Sequence, residues 1–92
     1  MVSIMESFEE IKQKSHSVVL EVLPNVSSEE LLENRDLFSM GLDSITAMTL
    51  VLNLQDAFGV SFDSGDINFE NFQTLGNIVD LIKRKQGVSI PL

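Results

Sequence analysis

The sequence predicts an all-α domain: a four-helix bundle with a long first loop and a short third helix. Three observations carry this expectation. Apolar residues recur at three- and four-residue steps in three separate stretches, and Pro24, Gly59 and Thr74 punctuate the chain around them. Between the first two stretches lies a connection of about twenty residues, long enough that it must be functional or pinned to the core.

Ile4, Phe8, Ile11, Ser15, Val18 and Val22 form one stripe on a first helix from about Ser3 to Leu23, with Ser15 as a small residue in the seam. Val18-Val19-Leu20 also has strand composition, but the longer periodicity argues for helix. Pro24 and Asn25 stop it, because proline lacks an N–H donor and disfavours helical geometry in the residue before it. In the connection, Ser27-Ser28-Glu29-Glu30 has capping-box spacing and predicts one helical turn holding Leu31 and Leu32. Leu37, Phe38 and Leu42 are the natural pins, and Gly41 suits a positive φ or a close backbone approach.

The second helix is expected to start at Asp43 or Ser44 and to end at Phe58, with Gly59 as its stop. On a helical wheel Ala47, Leu50, Val51, Leu54 and Phe58 share the core face. Ile45, Met48 and Leu52 form a second apolar stripe, displaced from it by roughly 130°. A helix of a small bundle needs one such stripe, so the second must meet another part of the chain or, as we expect, another molecule. Val60-Ser61-Phe62 reads as an extended link and Asp63-Ser64-Gly65-Asp66 as a turn. Ile67 to Phe72 is the short third helix, its apolar residues plugging the bundle. Thr74 caps the last helix, with Leu75, Ile78, Val79 and Ile82 inward. Lys83-Arg84-Lys85 complements the dipole of its final turn, Gly87 ends it, and residues 87–92 form a loose tail.

Ninety-two residues suit one domain, here spanning 1–92 with its core at about 4–85. The absence of cysteine excludes disulfides and thiolate metal sites, and the single His16 builds neither a triad nor a metal cluster. His16 is expected at a solvated or edge position on the first helix. Asp63, Asp66 and their neighbours miss calcium-loop spacing: Gly65, Ile67 and Asn68 stand where ligands and a glycine are needed. Fourteen acidic against six basic residues give a formal charge of −8, which repels nucleic acid and suits partners with basic patches. No signal-peptide profile and no run near ~20 apolar residues is present. The expectation is therefore a cytoplasmic monomer, and the start at Met1 with an end soon after the last helix fits a free-standing protein.

Chemistry centres on Ser44, at the boundary of loop and second helix. Its ordinary reading is a helix cap. As a nucleophile it lacks a base, an oxyanion site and a Gly-x-Ser-x-Gly elbow. As a substrate it is well placed, because its hydroxyl can be reached by another enzyme. Asp43 with the rim of Ile45, Met48 and Leu52 then forms a recognition patch, and an attached anion suits a helix N-terminus.

Asp36-Leu37-Phe38, Gly41-Leu42-Asp43-Ser44-Ile45, Phe58-Gly59-Val60 and the Thr74-Leu75 opening of the last helix together resemble the acyl and peptidyl carrier proteins. The resemblance runs from Ile4 to about Lys85. It implies the carrier-type bundle, with Ser44 esterified by a phosphopantetheinyl transferase that uses coenzyme A and magnesium. The resulting 4′-phosphopantetheine arm would hold an acyl or aminoacyl group as a thioester. Catalysis would lie in the partners: the transferase, a loading ligase or adenylation enzyme, and downstream synthase or tailoring enzymes. Two departures bear on the subtype. Carriers of fatty-acid synthesis usually show glutamates on the exposed side of the second helix, where this chain has Thr46, Thr49, Asn53 and Gln55, with Asp56 the main acid. The link from Asp63 to Phe72 is also slightly long. Both point to a discrete carrier of polyketide or nonribosomal-peptide-type metabolism. A fatty-acid carrier is the second reading, and an unmodified helical adaptor, with Ser44 only a cap, is the rival from a different class.

Overall fold

The computed structural model describes residues 7–87. Three α-helices, α1 (Phe8–Val22), α2 (Ser44–Phe58) and α3 (Leu75–Gly87), are joined by a long first loop and by a link that ends in a single 3-10 turn, Glu70–Phe72. No strand occurs among the described residues. α1 packs against both α2 and α3, and the 3-10 turn packs on α3. The all-α expectation holds, with the short third helix reduced to that turn.

α1 starts later than the stripe suggests. Ser7 is extended and closes a capping box: its Oγ accepts the Glu10 N–H at 3.1 Å, and Glu10 Oε1 accepts the Ser7 N–H at 2.9 Å. Ile4 lies outside the described residues. Phe8, expected in the core stripe, is instead exposed, with the Lys12 and Lys83 ammonium groups 5.3 and 4.8 Å from its ring centroid. Ile11, Val18 and Val22 are buried as the stripe predicts, and Val19, outside that stripe, is buried with them. Ser15 is fully buried with no partner for its hydroxyl, so its value in the seam is small volume rather than hydrogen bonding. His16 sits at the edge of α1, where Nε2 lies 3.2 Å from the Ser28 carbonyl oxygen.

The connection from Leu23 to Asp43 is stitched down rather than loose. Both halves of the Ser27–Glu30 box form, at 2.9 and 3.3 Å, but the segment makes a turn and not a helix. Leu31 is buried and Leu32 exposed. Leu37 is fully buried; its N–H donates to the Gln73 carbonyl at 2.7 Å, and its own carbonyl accepts from Met40 and Leu42, both at 3.0 Å. Gly41 adopts φ +119, a region closed to most side chains, and this bends the chain toward α2. Nearby, the Gly76 N–H donates to the Glu33 carbonyl at 3.0 Å. A Cβ on Gly76 would lie 3.3 Å from that oxygen, a tight approach that the missing side chain spares. The Asn77 N–H donates to Thr74 Oγ1 at 3.1 Å, giving α3 its expected cap.

The link after α2 departs most from expectation. Phe72 is buried, with an edge-to-face contact to Phe62 at 5.9 Å, but Ile67 and Phe69 do not plug the bundle. They stay 40% and 57% exposed. The cause is local: Asn68 and Asn71 side chains satisfy the backbone of the link in place of a helical ladder, with bonds of 2.8 to 3.0 Å.

Candidate functional site

The loop pinned by Leu37 and turned by Gly41 delivers the chain to the N-terminus of α2. Asp43, not Ser44, is the N-cap there. Its Oδ1 accepts the Ile45 and Thr46 N–H groups at 3.0 and 2.9 Å and the Thr46 hydroxyl at 2.9 Å. Thr46 Oγ1 in turn accepts the Asp43 N–H at 2.8 Å, completing a capping box in which threonine takes the place of the usual glutamate. This corrects the ordinary reading of Ser44 as a cap. Ser44 is the first residue of the helix proper, exposed, and no hydrogen bond among the described residues engages its hydroxyl.

The bonds that hold Asp43 also set its chemistry. The Thr46 N–H, then the Thr46 hydroxyl, then the Ile45 N–H favour the ionised form and hold its carboxyl below the ordinary value of 3.8. A depressed carboxylate contributes stability that is complete above the unfolded value and is lost as pH falls through the folded one. The carboxyl carbon of Asp43 is therefore expected to titrate below 3.8 by NMR, with fraying of the first turn of α2 in the same window. Thr46→Ala should move that titration upward; an unmoved titration would show that the cap does not set it.

Ala47, half-buried, and Leu50, Val51, Leu54 and Phe58, all buried, hold α2 to the core, and Gly59 in the left-handed region ends it. On the other side Ile45, Met48 and Leu52 are 78%, 54% and 59% exposed. The second stripe thus lies outside the core and flanks the serine. Gln55 does not belong to that outer face: its Oε1 accepts the Phe62 N–H at 2.9 Å and ties the extended link to the end of α2. Asp56 is the only acid within α2.

Beside Ser44 runs an apolar groove of about 290 Å³ lined by Phe38, Ser44, Met48, Val51, Ile67 and Phe69 among others. Two of its lining rings, Phe38 and Phe69, stack with centroids 4.7 Å apart at 29°. Sequence reasoning missed this groove because it took Ile67 and Phe69 for core. It also missed the Asp43 box, for which the Asp-x-x-Thr spacing was the available signal.

Each of the six basic side chains is drawn into an internal contact. Lys12 reaches Glu33 at 3.0 Å and Lys85 reaches Asp66 at 2.8 Å. Lys14 lies over Phe58 and Lys83 over Phe8. Arg35 donates to the Glu30 carbonyl and Arg84 to Asn71 Oδ1. The surplus of fourteen acidic over six basic residues leaves the charge balance acidic. Among the described residues no group of three or more His, Asp or Glu could hold a metal ion, and no helix is long and apolar enough to cross a membrane.

Fold and site together define a small helical domain that presents an unbonded serine hydroxyl at a helix start, beside an apolar rim and groove. The family model for the phosphopantetheine attachment site matches residues 17–82. The chain is 35% identical over 83 residues to the acyl carrier protein of Thermotoga maritima, covering 90% of this chain and all of that one. It is 35% identical over 81 residues to that of Prochlorococcus marinus, covering 88% and 99%. Its fold is similar to that of a carrier protein in the crystal structure of an engineered Bradyrhizobium japonicum glycine:[carrier protein] ligase complexed with carrier protein from Agrobacterium tumefaciens and ATP. That similarity has a TM-score of 0.65 at 23% identity and covers 76% of this chain and 97% of the other. The chain belongs to the acyl carrier protein family, and its cofactor is covalently bound 4′-phosphopantetheine.

Proposed function

We propose that Ser44 is the attachment point of the arm, and that the chain is a cytoplasmic, non-catalytic, monomeric carrier of polyketide or nonribosomal-peptide-type metabolism. The observation that carries the reading is the division of labour at the start of α2. Asp43 does the capping, which leaves the Ser44 hydroxyl exposed and unbonded on a rigid element. The residues fit the group on two further counts. The positive end of α2 favours a phosphodiester, although the Asp43 carboxylate beside it offsets part of that gain. The groove next to Ser44 offers apolar cover. The arm supplies a thiol that carries an acyl or aminoacyl group as a thioester; this chain supplies the tether point, the docking face and the local concentration of cargo.

Docking is assigned to Ile45, Met48 and Leu52, with Asp43 at the edge of the patch. With one acid on α2, electrostatic attraction must come mainly from acids elsewhere, and affinity from apolar contact. The partners proposed are a phosphopantetheinyl transferase, a loading ligase or adenylation enzyme, and synthase or tailoring enzymes. The ligase class is supported by the ligase partner of the similarly folded carrier. Fatty-acid synthesis stands as the second reading.

The test is incubation with coenzyme A, magnesium and a broad-specificity transferase, followed by intact mass and peptide mapping. One arm is expected, on the peptide containing Ser44; an unchanged mass across several transferases would sink the reading. For the rim, Met48→Glu is expected to slow modification or loading by about tenfold or more, the scale of a lost apolar anchor, with the helical signal kept because Met48 is exposed. Equal loss of helicity and loading would place Met48 in the core instead.

A further inference from the structure

The first turn of α2 is closed back onto its cap partly by one side-chain hydroxyl. Thr46 Oγ1 accepts the Asp43 N–H at 2.8 Å and donates to Asp43 Oδ1 at 2.9 Å. The Asp43 carbonyl oxygen accepts the Ala47 N–H at 2.7 Å. Asp43 is thus held at its N–H, its carbonyl and its carboxylate, and Ser44 and Ile45 are the residues enclosed between it and Thr46. Thr46 is half-buried, and among the described residues its hydroxyl bonds to Asp43 alone. Threonine suits this place because Asp43 offers both a donor and an anionic acceptor, and a hydroxyl answers both at once. Glutamate, the usual residue here in a capping box, would accept the N–H but could not donate. It would also set a second negative charge beside the first.

We propose that Thr46 is a positioning residue for arm addition: its hydroxyl latches the turn that encloses Ser44 and so fixes the serine for attack. This rests on the reading of Ser44 as the attachment point. Asp43 caps the helix, Thr46 holds Asp43, and among the described residues the Ser44 hydroxyl stays unbonded between them. With the Thr46 hydroxyl gone, the Asp43 N–H loses its acceptor and Oδ1 loses one of its donors. The Ile45 and Thr46 N–H groups still reach Oδ1, so the helix survives with a looser first turn. Met48 and Leu52 lie beyond that turn and keep their exposed places, so a transferase still docks. What it meets is a serine whose position varies, and a displacement of ~1 Å at a reacting group can cost about 10²-fold in rate. The effect therefore falls on turnover and not on capture.

The experiment follows arm addition by intact mass, with a broad-specificity phosphopantetheinyl transferase, saturating coenzyme A and magnesium, and the carrier chain varied in concentration. The unaltered chain is compared with Thr46→Val, Thr46→Ser and Ser7→Ala. Thr46→Val removes the hydroxyl and keeps the branched shape. Its kcat is expected to fall about tenfold or more, on the scale of a misplaced reacting group, with KM little changed. Thr46→Ser restores the hydroxyl and should recover most of kcat. Ser7→Ala breaks the capping box of a different helix, α1, and should leave both constants unchanged. Equal kcat in the unaltered chain and Thr46→Val would overturn the inference. A rise in KM alone would do the same by making Thr46 a docking residue, and an equal loss in Ser7→Ala would reduce the effect to general stability. A second measurement needs no variant. The Asp43 amide of the unaltered chain should be more protected from hydrogen exchange than that of Ser44, one of the donors a helix start leaves without an intrahelical partner. Equal protection would overturn the inference even if Thr46→Val failed to fold. A chain that accepts no arm overturns it together with the reading beneath it.

Discussion

Ser44→Ala is expected to abolish addition of the arm while leaving the fold intact. The loss should be complete because the reaction needs an oxygen at this position. In the proposed modification the Ser44 hydroxyl oxygen would form the new bond to phosphorus as the nucleotide part of coenzyme A leaves, and the hydroxyl proton would pass to the transferase. Alanine offers no oxygen. The fold should hold for a separate reason. Among the described residues Ser44 Oγ has no hydrogen bond to lose, since Asp43 and Thr46 do the capping, and alanine favours helix more than serine. The stability change should stay within about 0.5 kcal/mol, the range for surface substitutions that touch no special feature. Intact mass and urea unfolding of the same sample check both halves. Arm addition to Ser44→Ala would move the attachment elsewhere, and a large stability loss would give Ser44 a structural role the geometry does not show.

The contrast between Asp43 and Ser44 shows what could be read in advance and what could not. Helix existence was legible because it depends on periodicity and on punctuation: α2 runs from Ser44 to Phe58, and Gly59 ends it. The outward stripe of Ile45, Met48 and Leu52 was legible for the same reason. Which of two adjacent residues caps the helix was not, because aspartate and serine are both good caps and only the loop geometry selects between them. The late start of α1 was hidden differently. Phe8 fits an apolar stripe, yet two lysines give its ring an exposed place that periodicity cannot anticipate. Ile67 and Phe69 failed as core residues because Asn68 and Asn71 bond the backbone locally and leave no helix to turn those side chains inward. The groove beside Ser44 exists because of that failure.

Leu37→Ala is expected to cost about 2–5 kcal/mol, the range for truncating a buried leucine. That is a large share of the roughly 5–15 kcal/mol that holds a domain of this kind. The side chain is fully buried, while the backbone bond from its N–H to Gln73 and the two bonds its carbonyl accepts survive the substitution. The experiment therefore isolates packing. Its consequence should extend beyond stability, because Leu37 is the pin from which Gly41, Leu42 and the Asp43 cap follow. With the pin loosened, amides from Ser39 to Leu42 should exchange faster than those of α3, and arm addition should slow although the Ser44 hydroxyl is chemically unchanged. Leu32→Ala in the same loop is the control: Leu32 is exposed, and its loss should move stability by less than about 0.5 kcal/mol. If Leu37→Ala proved as mild as the control, the long loop would not be held as its contacts suggest. The presentation of Ser44 would then depend on the α2 cap alone.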